Sequence, residues 1–357
     1  MRNAPHLVVS ISGHGFGHVA QTAPVLNLLQ QRMPKLRITV RSAVPLLHLR
    51  SRIHAPFAHM SVEGDIGMVM SSALDVLAEE SRAAYRAFHA DWDARVANEA
   101  GLLRELGADL VLSNVGYLPL AGAQRAGIPN AALCSLNWAD IYRHYCGDEG
   151  IAARMDDCYA NAEAFLRATP GMVMDNLPNL IPVPPIAGIG TNRRAELDDR
   201  LKLPSGEKLA LVSLGGIASR VPIERWPRIP GVRWLVQENW QIDHPDAIIL
   251  ETLQMSFSDL LASSDALICK PGYGSFVEAA SCGVPVLYVP RPDWPEATAL
   301  IEWLQQHGPC REVSRTELEQ GTIDDALEEI LNAPRPKPVI PEGANQVAEW
   351  LAERLGS

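Results

Sequence analysis

The chain has 357 residues, 47% apolar and 20% charged, a profile that excludes disorder as the main state and, at ~150 residues per domain, predicts two domains. The net charge of −11 argues against nucleic acid as a main partner. No run approaches the ~18 apolar residues of a membrane-crossing helix, no secretory signal is visible, and no unit repeats at a period of roughly 20 to 50 residues, so a layered cytoplasmic protein is expected.

In chain order, short β-branched runs alternate with helical stretches, which predicts βαβ units and parallel sheets. The first half offers strands at 7–12, 36–41, 109–113, 130–133 and 172–174, with a long helical stretch over 71–106. Residues 177–185 hold four prolines, too many for helix or strand, and read as a stiff connector. The domain boundary falls there, giving an N-terminal domain 1–182 and a C-terminal domain 183–342. The second half offers strands at 209–214, 234–236, 247–250, 266–269 and 286–289, with helices after Ser275 and Glu296. A last segment, 343–357, carries an amphipathic helix whose Val347, Trp350 and Leu351 need a surface to cover; either domain can supply it, the N-terminal one being the candidate. The expected fold class is α/β, two doubly wound Rossmann-like domains facing a cleft into which the carboxyl ends of both sheets open.

The loops after those strands are where chemistry is expected. Gly13-His14-Gly15-Phe16-Gly17-His18 follows the first strand and enters a helix. It is neither the GxGxxG dinucleotide fingerprint, since position 18 is His, nor a Walker loop. Its glycines let backbone N–H groups approach an anion, and its histidines titrate near neutrality; they either cap the helix or take a proton from a hydroxyl. Lys270-Pro271-Gly272-Tyr273-Gly274-Ser275 follows strand 266–269 and precedes a helix, a cradle suited to a diphosphate, with Gly215 and Gly216 expected beside it. Ser275 and Glu278 have the spacing of a capping box. Arg291-Pro292-Asp293-Trp294-Pro295-Glu296 places two carboxylates and an indole at the same sheet edge, either to accept hydrogen bonds from sugar hydroxyls or as a proline-bounded loop with Glu296 in a first helical turn. Asp91-Trp92-Asp93 lies inside the long helical pattern and reads as a solvated face, not a metal site. The six cysteines form no CxxC pair, which suits neither a disulfide framework nor zinc and fits a reducing compartment. Residues 1–62 carry seven basic residues and no acid, leaving 24 basic against 42 acidic residues in the remainder. These cations are either scattered and solvated or form a peripheral contact with an anionic membrane face.

At these residues the second half resembles the donor domain of GT-B glycosyltransferases, in particular glycosyltransferase family 28, which includes the lipid-linked N-acetylglucosaminyltransferase of peptidoglycan synthesis. The likeness lies in Ser213-Leu214-Gly215-Gly216, in the Gly-rich turn with Glu278, and in Cys282-Gly283-Val284-Pro285. The Gly13 to His18 loop is similar to that family's N-terminal Gly-rich loop. A closer likeness, over most of the chain, is to the glycosyltransferase-like N-terminal part of plant L-arabinokinases, which shares the GHGFGH loop, a segment like Asn137-Trp138-Ala139-Asp140-Ile141-Tyr142 and a loop like 291–296.

The resemblance implies a nucleotide-sugar donor, UDP-linked, in the second domain and an acceptor hydroxyl in the first, with transfer in the cleft, no obligatory metal and no cofactor. It makes His18 the candidate base and His14 the next. It puts Glu278 on the ribose hydroxyls, Gly272, Tyr273, Gly274 and Ser275 near the diphosphate, and Asp293 and Glu296 near the sugar. Asn137, Trp138, Asp140 and Tyr142 are candidates for the acceptor side; the alternative is a helix start with Asn137 as N-cap and the aromatics in the core. No pair of glutamates eight apart flanks the donor loops, which leans towards inversion. The glutamine-containing sugar-binding motif of the family is replaced by 293–296, so the sugar stays open. Two rival functions share these features: a nucleotide-sugar epimerase or hydrolase, and a noncatalytic sugar-nucleotide-binding module.

Overall fold

The computed structural model describes residues 4–217, 219–335 and 337–356. The chain divides into two compact units, one of Met1–Ser71, Asp75–Ile186 and Pro341–Ser357, the other of Ser72–Leu74 and Ala187–Ile340.

The first unit is built on seven strands: β1 (His6–Ile11), β2 (Arg37–Arg41), β3 (Ala58–Met60), β4 (Leu110–Asn114), β5 (Asn130–Cys134), β6 (Ala164–Ala168) and β7 (Leu180–Val183). They run in the order β3-β2-β1-β4-β5-β6-β7, every pairing parallel. Every residue of β1, β4 and β5 is buried, as expected of strands covered by helices on both faces. The final helix, Gly343–Gly356, belongs to this unit and buries Val347, Ala348 and Leu351. A Cβ on Gly343 would stand 2.0 Å from the carbonyl oxygen of Pro184, so only glycine permits that approach.

The second unit holds β8 (Lys208–Ser213), β9 (Val232–Val236), β10 (Ala247–Ile249), β11 (Ala266–Cys269), β12 (Val286–Tyr288) and β13 (Cys310–Glu312). Their order is β10-β9-β8-β11-β12-β13, again all parallel. Its core centres on Trp234, fully buried, with the Trp226 ring set edge-on at 4.9 Å. Both sheets are thus doubly wound α/β layers, as the alternation of elements predicts.

Five local expectations need correction. Residues 172–174 form no strand: the Met172 N–H bonds the Ser135 carbonyl at 2.7 Å and Met174 sits at φ 55°, outside the extended region. The proline-rich connector contains β7, which pairs with β6 alone; as an edge strand it tolerates Pro182, whose missing N–H the sheet does not need. The stretch 71–106 is two helices, Ala78–Ala90 and Trp92–Leu106, with a loop before the first. Asp91 therefore lies between two helices, not inside one, and the turn it makes lets His89 stack on Trp92 at 4.9 Å. Finally, Ser275 does not cap a helix: the helix Tyr273–Cys282 begins two residues earlier, with Gly272 at its N-cap, so the Ser275 and Glu278 capping box does not form.

Candidate functional site

In the first unit, the connections reverse direction between β1 and β4, the topological switch point at which doubly wound sheets bind ligands. The register pairs Ile11 with Asn114, so the histidine loop and the turn after β4 emerge side by side, and the Ser12 N–H bonds the Asn114 carbonyl at 2.6 Å. Gly15, at φ 98°, takes a conformation other residues avoid. The helix Gly17–Arg32 then starts without a side-chain cap and places His18 in its first turn.

His18 is buried, and its Nδ1 lies 2.8 Å from Asn114 Oδ1. The amide is oriented by its other contacts: Asn114 Nδ2 donates to Gln21 Oε1 at 3.1 Å, and Gln21 Nε2 donates to Ser135 Oγ at 2.6 Å. With its oxygen facing the ring, Asn114 accepts from a protonated Nδ1, which leaves the Nε2 lone pair as the basic position. Burial pulls the imidazole pKa down to about 4, the Asn114 bond opposing it in part.

His14 packs edge-on against the Trp138 indole at 5.1 Å, and the Trp138 and His18 rings lie 5.8 Å apart. Behind this cluster stands Asp65, which accepts from Trp138 Nε1 at 2.7 Å and from the Ser12 hydroxyl at 2.9 Å. Burial raises its carboxyl to about 6 against the pull of those two bonds. Gly67, at φ +61°, leaves room for the His14 ring, which a Cβ there would meet at 2.6 Å.

Of the four acceptor-side candidates, Trp138 joins the histidines. Asn137 is the N-cap of the helix Trp138–Cys146, its side chain accepting from the Asp140 N–H at 2.7 Å and donating to Asp140 Oδ2 at 2.7 Å. Asp140 also pairs with Arg143 at 2.8 Å, and Tyr142 is buried with its ring 4.4 Å from that of Tyr85.

In the second unit the switch point lies between β8 and β11. The register sets Cys269 beside Ser213 and beside Tyr288, so the loops after β8, β11 and β12 leave one edge together. Gly215 takes φ +86°, and the helix Tyr273–Cys282 starts at Gly272 with no side-chain cap, its positive dipole end lying at this edge. Tyr273 and Gly274 lie buried in the first turn with half-buried Ser275, while Gly216 follows Gly215 in the turn after β8. Glu278 is buried on the same helix. Asp293 is exposed, whereas Glu296 is buried, bonded by Trp294 Nε1 at 3.3 Å, at the N-cap of the helix Ala297–His307. The Arg291 guanidinium lies over the Trp294 ring at 3.9 Å. Lys270 reaches between the two glycine turns: its Nζ lies 3.9 Å from where a Cβ on Gly272 would be, and its Cε 3.8 Å from one on Gly215. Burial lowers its ammonium to about 8; nearby Arg291 adds to the effect and Glu296 opposes it.

Sequence reasoning missed Asp65, Asn114, Gln21 and Ser135, and did not single out Lys270. A signal existed for Asp65, an acid between Gly64 and Gly67, and for Lys270, the only charge between a buried strand and a glycine turn. Nothing local marks Asn114. Among the described residues no group of three His, Cys, Asp or Glu is placed to hold a metal ion, all six cysteines are free thiols, and no helix is long and apolar enough to cross a membrane. Of the seven early cations, Arg41 is buried against Glu99, Arg32 bonds Asn345 and Arg2 lies outside the described residues.

No family model matches the chain. L-arabinokinase of Arabidopsis thaliana is 25% identical over 353 residues, 96% of this chain and 34% of that protein, so the chain spans about a third of its relative. Among solved structures, CalG4, the calicheamicin glycosyltransferase, is similar with a TM-score of 0.64 and 14% identity, covering 100% of this chain and 99% of that one. MurG of Acinetobacter baumannii follows at 0.56 and 15%, covering 98% and 99%. UGT2 of Phytolacca americana, solved with UDP-2-fluoro-glucose and pterostilbene, has a TM-score of 0.56 at 15% identity, covering 99% and 94%. The chain has the GT-B glycosyltransferase fold, with a distant likeness to L-arabinokinase over most of its length, as its loops led one to expect.

Proposed function

We propose that the chain is a glycosyltransferase that moves a sugar from a nucleotide donor, UDP-linked, to an acceptor hydroxyl by direct displacement with inversion and without an obligatory metal. The observation that carries this reading is the His18 to Asn114 hydrogen bond. It holds the imidazole as the Nδ1–H tautomer, so Nε2 is free of its proton and can accept one from an attacking alcohol. The low pKa keeps the ring in that basic form across neutral pH. In the second unit, the uncapped helix start at Gly272 and the Lys270 ammonium supply positive charge for a departing diphosphate, a role that metal ions fill in other sites. The structural neighbour UGT2, with its UDP-sugar analogue, supports the choice of nucleotide.

The test has two parts. UDP, dTDP and the other common nucleoside diphosphates are expected to raise the melting temperature without added metal, since a ligand that binds only the native state stabilises it; no shift at millimolar concentration refutes the donor site. Transfer of labelled sugar from a responding donor is then expected to vanish in His18→Ala while the diphosphate shift remains.

A second reading, a noncatalytic sugar-nucleotide-binding module, is favoured by one observation. The short hydrogen bond of the His18 ring is to a neutral amide, with the Cys134 sulfur farther off at 3.8 Å, and the amide orients the ring but adds no negative charge to stabilise an imidazolium. A diphosphate shift with neither transfer nor hydrolysis of the donor selects this reading.

A further inference from the structure

Within the first unit lies a cavity of about 290 Å³ that the histidine loop does not use. It opens at the carboxyl edge of the sheet: Arg41, the last residue of β2, lines it together with the segment after β3 and the start of the helix Tyr117–Ala126. Arg41 is 3% exposed, and both its terminal nitrogens bond the Glu99 carboxylate, Nη2 at 2.8 Å. Glu99 fits there because a helix residue opposite it is Gly122, where a Cβ would stand 2.3 Å from Glu99 Cγ. The third guanidinium nitrogen, Nε, has no acceptor for its N–H among the described residues. A buried N–H without a partner is costly, and an oxygen-bearing occupant of the cavity would supply one.

The rest of the lining says which occupant. Arg41 and Glu99 neutralise each other, and the exposed rim pair Arg95 and Glu63 has opposite signs, so the cavity carries no net charge to attract a phosphate. Asn98 beside them both donates and accepts. Phe88, with the Arg95 guanidinium over its ring at 4.6 Å, and Leu118 form an apolar wall. Alternating donors and acceptors against an apolar face suit a ring that bears hydroxyls on its edge and C–H groups on its face. The volume lies at the lower end of small-molecule pockets, which run from ~300 Å³, and so matches one ring rather than an oligosaccharide or a lipid.

We propose that this cavity is a subsite for one neutral polyhydroxylated ring, a monosaccharide or cyclitol, and that this molecule is the acceptor; the second clause alone rests on the transferase reading. Its placement agrees with that role, because Gly64 lines the cavity while Asp65, next in the chain, holds Trp138 and Ser12 of the histidine cluster.

The experiment is saturation-transfer NMR on the full chain without nucleotide, using neutral hexoses, pentoses and myo-inositol beside uronic acids. At least one neutral ring is expected to bind, and Arg95→Gln and Asn98→Ala, both on the exposed rim, are expected to weaken it by roughly tenfold each with unchanged melting temperature, the scale of one hydrogen bond. Leu118→Phe, which fills the cavity, is expected to abolish it. Failure of every neutral ring to bind at tens of millimolar, binding that all three variants leave intact, or preference for a uronic acid overturns the proposal. A nucleoside diphosphate shift without ring binding retires this cavity and leaves the transferase reading standing; ring binding without any nucleotide response keeps the cavity and removes the acceptor role.

Discussion

A histidine held neutral by burial must make the protein sensitive to acid, and His18 allows the size of that effect to be worked out. Its pKa falls from 6.5 to about 4 on folding, so the unfolded chain takes up a proton in a range where the folded one refuses it. The stabilisation is therefore complete above pH 6.5 and is lost as pH falls through 6.5 towards 4. At about 1.4 kcal/mol for each tenfold difference in proton affinity, the loss attributable to this one ring is about 3 kcal/mol by pH 4. His18→Gln removes the titrating group and keeps an amide that can donate to Asn114. Wild type is expected to lose about 3 kcal/mol more than His18→Gln between pH 7 and 4, read from urea unfolding. Taking the difference cancels the two other histidines whose values are lowered to about 4, half-buried His48 and buried His89. Long-range ¹H–¹⁵N spectra of the ring check the same geometry directly, with Nδ1 protonated and Nε2 bare from pH 7 to 5. Equal pH slopes in the two proteins, a His18 titration near 6.5, or the opposite tautomer refutes the argument, and with it the assignment of Nε2 as the base.

Asp65 acts with the opposite sign: its raised value makes its contribution full below pH 3.8 and lost as pH rises through about 6. Asp65→Asn is therefore expected to gain on wild type by about 2 kcal/mol in urea unfolding as pH rises from 4 to 7, a figure discounted for partial solvent access; a constant difference across that range refutes a half-buried carboxyl that takes up its proton on folding. Lys270→Met is expected to weaken nucleoside diphosphate binding by roughly 10- to 100-fold, the scale of a hydrogen bond to a charged group. Wild-type affinity, measured calorimetrically, should also decline above pH 8 as the ammonium loses its proton, and Lys270→Met should lack that limb. Gly67→Ala puts a Cβ 2.6 Å from the His14 ring at φ +61°; a loss of about 1–3 kcal/mol in stability is expected, and an unchanged unfolding midpoint would show that the ring is not confined there.

Much of the fold was legible because local rules suffice where neighbours along the chain decide the outcome. The apolar run of β1, the glycines of the histidine loop and the break before the helix Tyr273–Cys282 are consequences of side-chain burial and backbone freedom at the residues themselves. Strand alternation then implies parallel sheets, and parallel sheets imply that loops at the carboxyl edge meet. The errors have an equally physical origin. A proline-rich segment became β7 because β6 offered hydrogen bonds to one side of it, a fact no property of residues 177–185 contains. Ser275-Phe276-Val277-Glu278 has the spacing of a capping box, but the helix started at Tyr273 and left Ser275 inside the first turn.

The candidate site divides in the same way. Its loops are visible in the sequence as glycine, histidine and lysine after buried strands, since each residue there acts through its own backbone or charge. What only the tertiary structure decides is which nitrogen of His18 is basic and which carboxyl stands behind Trp138. Those depend on Asn114, 96 positions from His18, and on Asp65, 73 positions from Trp138. Hydrogen bonds are specified by direction and by a distance of about 3 Å, and the chain brings such distant groups within that reach only after the seven-stranded sheet of the first unit has its strand order.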